Sequence, residues 1–117
     1  MFNIDVRNSR PIYEQLADNI EKLAIKGILE PDSQLPSVRQ LAMELSINPN
    51  TIQRAYTLLE SKGIIYSTKG KGSFINNDCS NAFKLKAEHI KKEIKKLLKD
   101  AREIGIEEKE IQSWFAI

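Results

Sequence analysis

The stretch Leu35-Pro36-Ser37-Val38-Arg39-Gln40-Leu41-Ala42-Met43-Glu44-Leu45-Ser46-Ile47-Asn48-Pro49-Asn50-Thr51-Ile52-Gln53-Arg54-Ala55-Tyr56 decides the fold. Ser37 is a good N-cap, and Gln40 stands three residues later, where a capping box needs a side chain that reaches back. The pattern predicts a short helix over 38–45, with Val38, Leu41, Ala42 and Leu45 on one face. It breaks at Ser46-Ile47-Asn48. Asn48 is a second N-cap, and Pro49 suits the first helical position, where its missing N–H would be unpaired anyway. A longer helix over 49–62 presents Ile52, Ala55, Tyr56, Leu58 and Leu59, and Gly63 ends it. Two capped helices joined by so short a turn have the local pattern of a helix-turn-helix.

Upstream, Pro11 opens a helix over 11–26, with Ile12, Leu16, Ile20, Leu23 and Ala24 at helical spacing and Gly27 as its stop. Glu30-Pro31-Asp32-Ser33-Gln34 reads as a turn. Downstream of Gly63 the period changes. Ile64-Ile65-Tyr66-Ser67-Thr68 and Ser73-Phe74-Ile75 are β-rich, and Lys69-Gly70-Lys71-Gly72 between them lets the chain reverse. A hairpin with a basic tip directly after a helix-turn-helix is a wing. Asn76-Asn77-Asp78 is polar and turn-prone, which divides the chain into 1–77 and 78–117. The second part predicts a long amphipathic helix over 82–104, with Leu85, Ile90, Ile94, Leu97, Leu98, Ala101 and Ile104 on one side. Gly105 breaks it, and a last short helix over 107–115 places Ile111, Trp114 and Phe115 on its apolar face. The expected fold class is therefore mostly α with a small β-hairpin, a winged helix-turn-helix followed by a two-helix tail. A lone helix cannot bury such a stripe, so the tail packs on its own chain or on a partner.

Composition bounds the function classes. The chain has 117 residues, 41% hydrophobic and 29% charged, as in an ordinary globular domain with an appendage. Net charge is only +2, but it is unevenly placed: residues 1–36 are net −2, 37–77 net +3 and 78–117 net +1. Positive charge in the middle segment fits an electrostatic footprint for phosphates, and equally a solvated basic surface. Cys79 is the one cysteine and His89 the one histidine, so neither a disulfide nor a metal site is expected. There is no Gly-rich phosphate loop and no nucleophile with a base, which argues against an enzyme, and no cofactor is expected. Met1-Phe2-Asn3-Ile4-Asp5 has no leader pattern, and no apolar run approaches the roughly 18 residues of a membrane helix. The expected compartment is the cytoplasm, with no membrane partner.

The ordered pattern Pro11-Ile12-Tyr13 with Gln15-Leu16, Gly27, Leu35 to Ala42, Asn48 to Tyr56, Leu59-Glu60, Gly63, and Gly70-Lys71-Gly72 with Phe74 resembles the GntR family of bacterial regulators. The resemblance covers about residues 10–76, and the Asn-Pro-Asn-Thr variant with a short tail is similar to the YtrA subfamily. The tail is too short for the effector-binding domains of most subfamilies. The resemblance implies a homodimeric repressor that binds double-stranded DNA, often at transporter operons and its own gene. An unidentified small-molecule effector stays open, as does an interaction module that has lost DNA binding.

Site residues follow from position and chemistry. Arg39 offers a rigid fork that fits guanine O6 and N7 or a phosphate, and the family arginine there contacts DNA. Asn50, Thr51, Gln53 and Arg54 lie in the first turns of the second motif helix, the end that enters a major groove. Asn50 and Gln53 suit base edges, and Thr51 a phosphate. Arg54 either meets a phosphate or pairs with Glu14 or another acid. Many relatives carry arginine or lysine near Pro49 or Gln53, where this chain is neutral. Ser37 caps its helix and can also meet a phosphate. Lys69, Gly70 and Lys71 form the wing tip, which by resemblance enters the minor groove. Tyr56 is expected in the core, and Tyr13 fits either role. Ile90, Ile94, Leu97, Leu98, Trp114 and Phe115 are the expected dimer contacts.

Overall fold

Among the described residues, 4–116 of the computed structural model, the elements are α1 (Ile12–Ile25), α2 (Val38–Leu45), α3 (Pro49–Ser61), β1 (Ile65–Thr68), β2 (Gly72–Ile75), α4 (Ser80–Glu103) and α5 (Glu108–Ser113). The expected class, mostly helical with one antiparallel hairpin, is the observed one. The reading of Met1-Phe2-Asn3 as lacking a leader lies outside the described residues.

The core is built where the helical stripes meet. Leu16, Ala17 and Ile20 of α1 are buried with Leu41 and Ala42 of α2 and Ile52, Ala55, Tyr56 and Leu59 of α3. Ala17 and Ala55 have no exposed surface, so no longer side chain has room at either point. Ile64, Ile65 and Ile75 carry the same core into the base of the hairpin. Glu21, buried on α1, receives the Lys62 ammonium at 3.1 Å and so ties α1 to the end of α3.

Capping fixes where the motif helices start. The Ser37 hydroxyl accepts from the Gln40 N–H at 3.1 Å, and the Gln40 side chain accepts from the Ser37 N–H at 3.0 Å, the reciprocal box expected. Asn48 caps α3 through the Asn50 N–H at 2.8 Å, with Pro49 in the first turn. Pro11 differs from expectation: it precedes the first helical residue, with an extended ψ of 146°. The buried Gln15 side chain explains this. It donates to the Asp5 and Arg10 carbonyls (3.0 and 2.9 Å) and holds the incoming chain extended.

Three further expectations are corrected. The segment 30–34 is more than a turn. Leu35 N–H donates to the Ser73 carbonyl and Ile75 N–H to the Ser33 carbonyl, both at 2.9 Å, so an isolated antiparallel bridge joins Gln34 to Phe74 of β2. The last helix is shorter than 107–115: it ends at Ser113, so Trp114 and Phe115 stand past its end and are exposed, while Ile111 is buried. α4 also starts two residues early, with Asp78 accepting from the Ser80 N–H at 2.9 Å.

Residues through Phe83 group in one compact unit and those from Lys84 onward in another. The first unit runs past Asn77 because Ala82 is buried in its core. In the second, Gly105 reverses the chain after α4 and Arg102 pairs with Glu108.

Helices α1, α3 and α4 end alike. The residue after a positive-φ glycine donates to a carbonyl five residues back: Ile28 to Leu23, Ile64 to Leu59, Ile106 to Ala101. Helix α2 ends with the same bond, Ile47 to Ala42 at 3.0 Å, but Ser46 holds the left-handed position at φ 53°. A side chain there is strained. Ser46→Gly is expected to stabilise the fold by about 0.5–1 kcal/mol and to raise Tm by a few degrees in a thermal melt followed by circular dichroism. A lower Tm would show that the Ser46 side chain makes a contribution larger than its strain.

Candidate nucleic-acid interface

The residues expected to meet DNA sit at three places on the first unit. Ser37 and Arg39 are at the start of α2, and both are exposed. Asn50, Gln53 and Arg54 are exposed in the first turns of α3, and Thr51 is half-buried there. Lys69, Gly70 and Lys71 are the exposed tip between β1 and β2.

Three contacts fix these places relative to the core. The Tyr56 hydroxyl on α3 donates to the Pro36 carbonyl at 2.6 Å, next to the cap of α2. Gln34 Nε2 donates to the Lys71 carbonyl at 2.8 Å and so holds the wing tip to the segment leading into α2. Gly72 has φ +117°, a conformation that favours glycine, and a Cβ there would stand 2.9 Å from the same nitrogen and displace it. Third, the Arg54 guanidinium carbon lies 4.0 Å from the centroid of the Tyr13 ring on α1. Among the described residues Arg54 is in no ion pair, so it pairs with neither Glu14 nor another acid, the alternatives to a phosphate that its position allowed. Tyr56 is buried as expected, and Tyr13 is half-buried.

Sequence reasoning misses Gln34 and Tyr13 as parts of this region. Gln34 lies in a run that reads as a turn, and no local period marks a side chain that bonds 37 residues away. Tyr13 stands out as an ambiguous aromatic, but its partner is set by the packing of α1 on α3.

The electrostatics are simpler than the charge of the middle segment suggests. Lys62 is paired with the buried Glu21. Among the described residues none of Arg39, Arg54, Lys69 and Lys71 is in an ion pair, so these four cations are open to an anion. Ser37 uses one hydroxyl lone pair in its cap, and its O–H is still a donor. The Gln53 amide reaches Thr57 at 3.3 Å, a long bond that a base edge can displace. No group of three or more metal-ligating side chains occurs among the described residues, and Cys79 lies half-buried with its thiol pushed up by burial and then by Asp78. No helix among them is long and apolar enough to cross a membrane.

On the second unit, Ile90, Ile94 and Leu97 are 49%, 46% and 65% exposed, and Leu98 is half-buried. Ala87, Ile90, Ile94, Leu97 and Ala101 of α4, and Ile104 just past its end, recur at alternating steps of three and four, the spacing of a coiled-coil seam.

A capped helix pair on a three-helix core, flanked by a hairpin with a bare cationic tip, defines a winged helix-turn-helix DNA-binding protein. Residues 12–75 match the profile of the bacterial regulatory proteins, gntR family, and the chain belongs to that family. It is 40% identical to the HTH-type transcriptional repressor YtrA of Bacillus subtilis (strain 168), over 97% of this chain and 88% of that one. The crystal structure of a transcriptional regulator from Oenococcus oeni superposes with a TM-score of 0.81 at 28% identity, covering 98% of this chain and 96% of that one. The crystal structure of AraR(DBD) in complex with operator ORE1 matches with a TM-score of 0.54 at 27% identity, covering 64% of this chain and 92% of that one. The chain is accordingly a DNA-binding transcription regulator of that family and not an enzyme.

Burial, and then the Glu44 carboxylate, push the Tyr56 hydroxyl up to about 12. An exposed tyrosine in the unfolded chain ionises near pH 10. The folded value is the higher one, so the stabilising contribution is complete below about pH 10 and is lost as pH rises toward the folded value. Tyr56→Phe is expected to cost about 1 kcal/mol near neutral pH, because the Pro36 carbonyl loses its donor, and to make the alkaline loss of stability shallower. Urea unfolding of both proteins across that pH range checks it; parallel curves would mean that Tyr56 is not the titrating group.

Proposed function

We propose that the chain is a dimeric repressor acting in the cytoplasm on a palindromic operator. Each protomer lays the start of α3 in a major groove and its wing tip on the flank, at half-sites about one helical turn apart. The observation that carries this is the polar start of α3. Ile52, Ala55, Tyr56 and Leu59 anchor the helix in the core, and Asn50, Gln53 and Arg54 are left exposed. Asn50 and Gln53 read base edges, as does Arg39. Ser37, Thr51 and Arg54 meet phosphates, and Lys69, Gly70 and Lys71 enter a minor groove.

A second copy of the chain is the occupant proposed for the α4 seam. The exposed residues Ile90, Ile94 and Leu97, with Leu98 beside them and Trp114 and Phe115 after α5, supply the apolar surface that a dimer would bury. Operators upstream of its own gene and of a transporter operon are proposed from the YtrA-type resemblance. Bound there, the dimer occludes a promoter.

Fluorescence anisotropy with DNA from upstream of the gene, against scrambled DNA, tests the reading. Affinity is expected to fall steeply with salt as neutralised phosphates regain their counterions. Arg39→Ala is expected to cost about 1–3 kcal/mol and to narrow the preference for the upstream DNA. Wild-type protein that binds neither DNA at low salt would overturn the reading.

The dimer has its own test. Ile94→Glu with Leu97→Glu places two carboxylates per chain in the seam. Sedimentation equilibrium is expected to show dimer dissociation shifted by more than about tenfold, given roughly 1.5–3 kcal/mol of burial lost per side chain. An unchanged dimer would place the interface elsewhere.

A further inference from the structure

Arg54 is held by an element to which it does not belong. A guanidinium can be fixed in two ways. A carboxylate binds its N–H edge and takes the donors that a phosphate would need. An aromatic ring binds its face and leaves the five in-plane N–H donors open. The structure uses the second way, with the Tyr13 ring 4.0 Å from the guanidinium carbon.

The nearby acids are drawn elsewhere. Arg10 pairs with Asp18 at 2.6 Å and lies 3.6 Å from Glu14. Glu14 also accepts from the Tyr13 hydroxyl at 3.4 Å, so the ring is itself tethered at its far end. A chain of interactions along α1, from Asp18 through Arg10 and Glu14 to Tyr13, ends beneath an unpaired arginine of α3.

We propose that Tyr13 is a positioning residue for DNA binding: its ring holds Arg54 restrained but unpaired, ready to take a backbone phosphate. No ion pair has to break when the phosphate arrives, and part of the arginine's rotamer freedom is already lost before binding. The inference rests on α3 being the helix that meets DNA. It adds a residue on a different helix, one that acts on the nucleic acid only through Arg54.

The test is a double-mutant cycle on the full chain, with Tyr13→Phe, Tyr13→Leu, Arg54→Gln and the Tyr13→Leu/Arg54→Gln pair. Arg54→Gln is expected to weaken operator binding and to lower the salt slope by about one for each phosphate that is no longer neutralised. Tyr13→Leu is expected to weaken binding about two- to five-fold, the range of a partly exposed cation–π interaction. Tyr13→Phe keeps the ring and is expected to retain most of the affinity. In the Arg54→Gln background, Tyr13→Leu is expected to have no further effect. Nuclear magnetic resonance of the free protein gives a readout independent of DNA: ring-current shifts at the Arg54 side chain, present in wild type and Tyr13→Phe, absent in Tyr13→Leu.

An equal loss from Tyr13→Leu with and without Arg54 would overturn the proposal, because the effect would then come from α1 packing. Full affinity in Tyr13→Leu would overturn it as well. If wild type binds and Arg54→Gln binds equally well, the positioning role fails while the DNA-binding reading stands. If wild type binds no operator DNA, both fail.

Discussion

The structure depends on how three residues turn one helix into the next. Ser46, Ile47 and Asn48 must leave no backbone group stranded while the chain changes direction, because a stranded polar group near the core is costly. The Ile47 N–H closes α2 on the Ala42 carbonyl, and the Asn48 side chain opens α3 on the Asn50 N–H. With both ends satisfied, the angle between the two helices is set by the turn and locked by Leu41, Ala42, Ile52 and Ala55 packing behind it. The strained backbone at Ser46 shows that geometry, not residue preference, rules at this point.

The remaining elements can be understood as supports for that pair. Helix α1 supplies the apolar floor through Leu16 and Ile20, and its Glu21 fastens the far end of α3. The hairpin adds Ile64, Ile65 and Ile75 to the floor and carries its charged tip outward. Gln34 then joins the tip back to the approach to α2. Each support meets the core through apolar side chains and reaches the polar surface through one or two hydrogen bonds.

Much of this is legible in the sequence because it is written in local chemistry. Caps at Ser37 and Asn48, a proline at position 49 and glycines at 27, 63 and 105 mark helix ends without reference to the rest of the chain. Long-range matters are not legible. The bridge of Gln34 to Phe74 joins residues whose own segments carry no strand signal on one side. The contact of Arg54 with the Tyr13 ring needs the packing of α1 on α3, and the sequence by itself offers Arg54 a phosphate, Glu14 or another acid instead. Periodicity puts Trp114 and Phe115 on a helix face, but the helix ends before them at Ser113. A six-residue helix is too short for periodicity to decide its end. For the residues proposed to face DNA, the sequence identifies side chains of suitable chemistry, and the fold puts most of them in the open.

The separation between Lys62, held by the buried Glu21, and the four open cations has an evolutionary consequence. Arg39, Arg54, Lys69 and Lys71 take no part in the core, so exchanging them costs little folding stability. The scaffold and its surface vocabulary can therefore drift at different rates. A lineage can alter exposed side chains of this surface while the helix angle that presents them is inherited unchanged.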